Sequence, residues 1–350
     1  MIRIVMLLWC CACLNTWADQ HIDAYRIDTL VADQSEAERS AAANASLGDV
    51  ILRVTGDITA LQNPVIRQAV NNATNYLQQF SYPADNNDKA AIKLTLNYSA
   101  PAIEALLRQA QLSIWPSNRP RVLLWLVSSE SGAYHQVTDA SALQPLVQRA
   151  QLRGLPLIFP KWDDEDAKII SEQAVANVDV EKIKAASQRY KSDAILVGSY
   201  SHSGSNWNAS WQLFQNGAST HFDSQVIDVK AAGLSNLLSN GVDQAANHLA
   251  QIYAVKSTSQ DAQALKIRID NVQDFTAFKQ VQAYLNSLTM IHRSELLSIE
   301  KNALVFALTL DGDIALLKNT LALANKLQLD ETVAEDAKAP APQLLFHWQN

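Results

Sequence analysis

Arg121-Val-Leu-Leu-Trp-Leu-Val127 is an unbroken apolar run behind a single charge, and its reading decides the class of fold. A strand with one wet face alternates polar and apolar residues, whereas a short continuous run suits a strand covered on both faces. The downstream spacing agrees. Leu143, Leu146, Val147 and Ala150 share one helical face that Gly154 ends, Leu155 to Phe159 reads as a second buried strand finished by Pro160, and Val180 to Tyr190 is helical. Ala194 to Tyr200 is a third strand. Trp207, Ala209, Trp211 and Leu213 then alternate with polar residues, Thr220 to Val229 continues the alternation, and Ala231 to Val255 closes the stretch as a long helix. The order β-α-β-α-β-β-β-α predicts a central mixed-sheet α/β domain over 117–257.

Upstream, Ala24 to Val31 reads as a strand, and Ser35-Glu-Ala-Glu38 has the spacing of a capping box, with Glu38 reaching back toward the helix start. Ala43, Leu47, Val50, Ile51 and Val54 form one face of that helix, and Gly56 stops it. Asn63-Pro64 opens a second helix with Ile66, Ala69, Val70, Ala73 and Leu77 inward. Ile92, Leu94 and Leu96 make a strand, and Ser99-Ala-Pro101 starts a third helix. This predicts an N-terminal α+β domain over 19–116.

Downstream, Leu265 to Asp270, Met290 to Ile299 and Ala303 to Leu310 read as strands, and Val272 to Leu288 and Ile314 to Ala324 as helices, the latter capped by Asp311 or Asp313. With Gln343 to Trp348 as the last strand, the order is β-α-β-β-α-β, which predicts a C-terminal ferredoxin-like domain over 261–350. The charged, Ala/Pro-rich stretch 331–342 reads as a flexible loop. The alternative makes it part of a tail, with Leu327 to Leu329 as the final strand. The fold class is therefore α+β and α/β multidomain.

Residues 1–18 have the build of a cleaved signal peptide: Arg3, the apolar run Ile4 to Leu14, then Thr16-Trp-Ala18 with small residues at both peptidase positions. Cys13 behind Ala12 leaves a lipid-anchored form as the alternative. All 3 cysteines, Cys10, Cys11 and Cys13, lie in that segment, so the mature chain is expected to be periplasmic and free of thiols and disulfides. An apolar run of 11 residues is shorter than a membrane span, and none follows it, so no transmembrane segment is expected after cleavage. The chain carries 28 basic and 35 acidic side chains, a net charge of −7, which argues against a nucleic-acid partner. No phosphate-cradling glycine motif occurs, and no cofactor is expected.

Three constellations bear on function. Asp163-Asp164-Glu165-Asp166 follows a strand end, where Asp163 and Asp166 are candidate ligands for a hard cation; the run also suits the positive end of a helix dipole. The 7 histidines include no HExxH pair, and His292 with Glu295 falls on a strand, where the two diverge. Gly198 to Ser205 (GSYSHSGS) lacks the glycine spacing of a nucleophile elbow and reads as a turn, and Ser298 with Lys301 straddles a strand end. Trp207 and Trp211 are candidates for a ligand or partner surface, such as a glycan groove, against the commoner use of indoles in a core.

RVTGD at Arg53 to Asp57, NRPRVLLWLV at Asn118 to Val127 and DAILVGSYSHSGSNWNASWQLF at Asp193 to Phe214 together resemble an exported family of Gram-negative bacteria, domain of unknown function 2066, over nearly the whole mature chain. The resemblance implies a periplasmic setting and supplies no catalytic residues. The expectation is a non-enzymatic adaptor or assembly factor of the cell envelope that binds an envelope protein. The alternatives are a hydrolase or metal-binding protein using the Asp163 to Asp166 loop, and a cell-wall glycan binder.

Overall fold

The computed structural model describes residues 23–83, 92–227, 233–255, 263–288, 290–310, 314–323, 326–330 and 343–349. The expected signal peptide, the caps at Asp311 or Asp313 and the 331–342 loop lie outside them. The chain is a mixed α+β protein of several sheets and helices.

The first unit comprises β1 (Arg26–Val31), α1 (Glu36–Thr55), α2 (Pro64–Val70), β2 (Leu77–Ser81), β3 (Ile92–Tyr98) and α3 (Ala100–Gln109). Its antiparallel sheet has the order β1-β3-β2. Ser35 Oγ accepts from the Glu38 N–H at 3.2 Å, as the capping box requires. The Glu38 carboxylate, however, reaches past Ser35 to the Ala32 N–H at 3.2 Å, because Asp33 already accepts the Ser35 N–H at 2.8 Å. Helix α2 ends at Val70, short of the expected Leu77. Asn71, Asn72 and Asn75 break the helical preference, and Leu77 opens β2, a strand the apolar spacing concealed.

The central unit comprises β4 (Val122–Glu130), β5 (Ala133–Gln136), α4 (Ala140–Arg153), β6 (Leu157–Ile158), α5 (Asp164–Ala167), α6 (Glu172–Ala176), α7 (Val180–Ser187), β7 (Ala194–Ser203), β8 (Asn206–Gln215), β9 (Ala218–Ile227) and α8 (Gly233–Tyr253). The sheet order is β5-β4-β7-β8-β9, with β4 and β7 parallel and the remaining neighbours on this path antiparallel. The second buried strand is reduced to a two-residue pairing of β6 with Val122 and Leu123, since Pro156 and Pro160 have no N–H to donate. Strand β5 was not anticipated; it returns along β4 through Ser131 and Gly132, both at positive φ.

Helices cover both faces of this sheet. On one, Leu124, Leu126, Leu196, Ala209, Trp211 and Leu213 meet Leu146 and Ala150 of α4 and Leu238, Val242 and Leu249 of α8. On the other, Leu123, Trp125, Val127 and Val197 meet Val175 of α6 and Ile183 and Ala186 of α7.

The last unit comprises β10 (Gln263–Asp270), α9 (Phe275–Ser287), β11 (Ile291–Glu300), β12 (Ala303–Leu310), α10 (Ile314–Ala322), β13 (Leu327–Leu329) and β14 (Gln343–Trp348). The sheet order is β11-β12-β10-β14-β13. Both segments proposed from sequence as the final strand are strands. In a four-stranded ferredoxin-like sheet the last strand runs antiparallel to the first, whereas β14 here lies parallel to β10, with β13 antiparallel outside it.

Candidate functional site

The stretches Arg53 to Asp57 and Asn118 to Val127 supply a buried polar joint between the first two units. Arg119, 5% exposed, donates to the carbonyls of Pro116 (3.0 Å), Gly154 (2.8 Å) and Arg53 (2.6 Å), among others. Arg153, at the end of α4, donates to the Gly56 carbonyl at 2.6 Å and pairs with Asp243 of α8 at 2.8 Å; Arg149 holds the same carboxylate with two contacts of 2.7 Å. Burial lowers the pKa of both Arg119 and Arg153. Gly56 ends α1 at φ 66, and a Cβ there would lie 2.4 Å from the Trp115 ring and 2.5 Å from Ala250, so only glycine lets the units close. These arginines are spent on backbone carbonyls and internal carboxylates, and they serve the architecture.

The acidic run is likewise engaged. Asp163 caps α5 by accepting from the Asp166 N–H at 3.2 Å. Arg189 then bridges three carboxylates, reaching Asp163 at 2.6 Å, Asp166 at 3.1 Å and Glu165 at 3.1 Å. Asp166 is fully buried and also accepts from the Trp162 N–H at 2.9 Å and from the Tyr190 hydroxyl. The Arg189 hydrogen bond holds the Asp163 carboxyl down at about 2, and burial with the Asp166 contact pushes the Tyr190 phenol up to about 12. A guanidinium thus occupies the place a cation would take. Among the described residues, no group of three or more His, Cys, Asp or Glu is arranged to hold a metal ion.

The two tryptophans part company. Trp211 is 1% exposed, so its reading as a surface residue is corrected: it fills the core under α8, where Gly198 and Gly241 lie so close that a Cβ on either would fall 2.6 Å or 2.3 Å from the indole. Trp207 is half-buried on the same face, with the His202 ring stacked on it at 4.2 Å.

The polar feature with the least internal use lies on the opposite face of the sheet, at the carboxyl ends of parallel strands β4 and β7, where ligands of open α/β sheets gather. Here GSYSHSGS is not a turn. Strand β7 runs through Ser203, and only Gly204 and Ser205 turn the chain. The register therefore lines up a row of side chains across five strands: Tyr134, Ser129, Ser201, Asn208 and Gln225. A second row, Ser199, Ser210 and Asp223, lies beside it. Together they line a hollow of about 490 Å³ beside the helix-covered area of that face. Among the described residues, the side chains of Ser129, Ser199, Ser201, Asn208 and Ser210 have no hydrogen-bond partner within the protein. The alternation of β8 is legible in the sequence, whereas the serine- and glycine-rich composition at the end of β7 has the signature of a turn and hides the row.

Fold and site together define a mixed α+β protein of several packed units. Its residues 18–116 match the model of a family described as a domain of unknown function (DUF8605). No curated protein matches the chain. Solved structures similar to it include a formyltetrahydrofolate deformylase from Pseudomonas putida KT2440, at 9% identity and a TM-score of 0.22, covering 57% of this chain and 93% of that one. Another is an uncharacterized protein, at 11% identity and a TM-score of 0.17, covering 38% and 91%. A third is a Xanthomonas campestris protein of DUF330, at 9% identity and a TM-score of 0.14, covering 39% and 84%. Likenesses this slight carry no argument about activity.

Proposed function

We propose that the chain is a non-enzymatic adaptor or assembly factor of the bacterial cell envelope, exported to the periplasm by residues 1–18 and belonging over its mature length to domain of unknown function 2066. In this reading it has three domains, 19–116, 117–257 and 261–350, the last a ferredoxin-like variant with one inserted strand. The partner is an envelope protein that adds an extended segment to the outer edge of β9.

The observation that carries this reading is the state of that edge. Strand β9 keeps register with β8 over ten pairs without a bulge, and no strand pairs with its other side among the described residues. Its two ionisable side chains, His221 and Asp223, face each other at 3.3 Å. The other ten-residue edge, β11, carries a similar exposed pair, Arg293 and Glu295, but also has two register shifts, irregularities that discourage pairing and that β9 lacks. An unblunted edge supplies main-chain donors and acceptors for strand addition.

The test is site-specific photocrosslinking in cells with the full chain, placing the reactive residue at Ser219 on β9 or at Glu295 on β11. The expected result is recurrent capture of one envelope protein from Ser219 alone. Equal capture from both strands, or none from Ser219 across growth conditions, overturns the reading.

A further inference from the structure

The hollow on the central sheet is a more specific feature than the open face of an ordinary strand. Serine, asparagine and aspartate are turn residues, and asparagine and aspartate are depleted in strands. Yet Ser129, Ser199, Ser201, Asn208, Ser210 and Asp223 all sit on strands, and the register of four successive strand pairs brings them together. Single residues of these types occur on other strands, such as Asp28, Asn97 and Asp270, but here six of them converge on one face, and such a concentration against local preference marks a place where function sets the residue. The neighbouring positions of the same strands and face obey the ordinary rule: Trp125, Val127 and Val197 are apolar and covered by helices.

The chemistry of the lining selects its occupant. Every member of the row Tyr134, Ser129, Ser201, Asn208 and Gln225 can both donate and accept a hydrogen bond. Among the described residues the lining has no lysine or arginine, and its one ionisable carboxylate is Asp223, which opposes phosphate, sulfate and carboxylate ligands. An apolar partner would take the hydroxyls out of solvent without offering them hydrogen bonds in return. A peptide pairs its backbone with a strand edge, whereas a sheet face meets groups that project from the ligand. Neighbouring strands bring successive members of the row about 4.8 Å apart, close to the advance per sugar of an extended β-1,4-linked glycan.

We propose that the row from Tyr134 to Gln225 binds an extended, neutral β-1,4-linked glycan strand laid across the sheet, with one hydrogen-bonding side chain meeting each sugar or its neighbour. The phenol of Tyr134 closes one end of the row, and Asp223 beside it accepts from sugar hydroxyls. Trp207 and Trp211 take no part, because they lie on the other face. The inference is independent of the β9 edge: the edge engages main-chain groups, the row side chains.

The experiment is calorimetric titration of the exported chain with chitotetraose, with an amide spectrum of each variant as the check on folding. Saturable binding is expected, weakened about tenfold by Asn208→Ala and again by Ser201→Val, the loss of one hydrogen bond each. Trp207→Ala leaves it unchanged, and Gln225→Ala, at an exposed position, is the second row variant if Asn208→Ala does not fold. No saturable binding, or equal affinity in the folded row variants, overturns the proposal. Weakening by Trp207→Ala alone moves the site to the other face and also overturns it. Crosslinking from Ser219 is read separately, so the two readings fail independently.

Discussion

The two faces of β8 are built from one ten-residue strand and could hardly be used more differently. Ala209, Trp211 and Leu213 point into a core sealed by α8, while Asn208 and Ser210 on the other side line an open hollow without internal partners. Burial makes each atom on the first face depend on its neighbours; on the second, Phe214 still packs against the core at one end of the strand, while Asn208 and Ser210 at the other answer only to solvent or ligand. The same alternation therefore assigns stability to one parity of residue numbers along the strand and, past Phe214, leaves the other parity free for recognition.

The sharpest way to break that division is Trp211→Ala. It empties a large, fully buried volume, and unfolding by denaturant should show a loss of about 3–5 kcal/mol. A loss under 1 kcal/mol would mean that the core face is not the structural one. Gly241→Ala tests the same contact from the helix side. Its methyl group would meet the indole at 2.3 Å, and overpacking should outweigh the helix preference for alanine, for a net loss of about 1–2 kcal/mol in the same assay. Ser210→Val, on the opposite face, should change stability by no more than about 0.5 kcal/mol, since it adds a good strand former at a position with no internal partner. A large loss there would show that the hollow is part of the core.

Much of this architecture is legible in local chemistry. Ser35, Asn63 and Ser99 each cap the helix they announce, Gly56 and Gly154 end theirs in the left-handed region, and Val122 to Val127 is buried to the last residue. What escaped is what depends on strand pairing rather than on the local pattern of the segment, whether the partner is adjacent or distant. Strand β5 needs the edge of β4, β2 needs β3, and the insertion of β14 beside β10 joins segments whose ends lie 77 positions apart. The site is hidden in the sequence for a related reason. The acidic run stands out in one dimension, yet its neutralising Arg189 comes 26 residues after Asp163, and the quiet serines acquire meaning only when five strands are set side by side.

The position of β14 has a consequence for the order of assembly. Its neighbours β10 and β13 both precede it along the chain, so the last-made strand is an interior member of its sheet. A chain synthesised amino end first leaves the side of β10 that β14 pairs with unsatisfied until residues 343–348 emerge. A truncation before Gln343 would remove a middle rung of the ladder and separate β13 from the rest, while one after Trp348 would spare it.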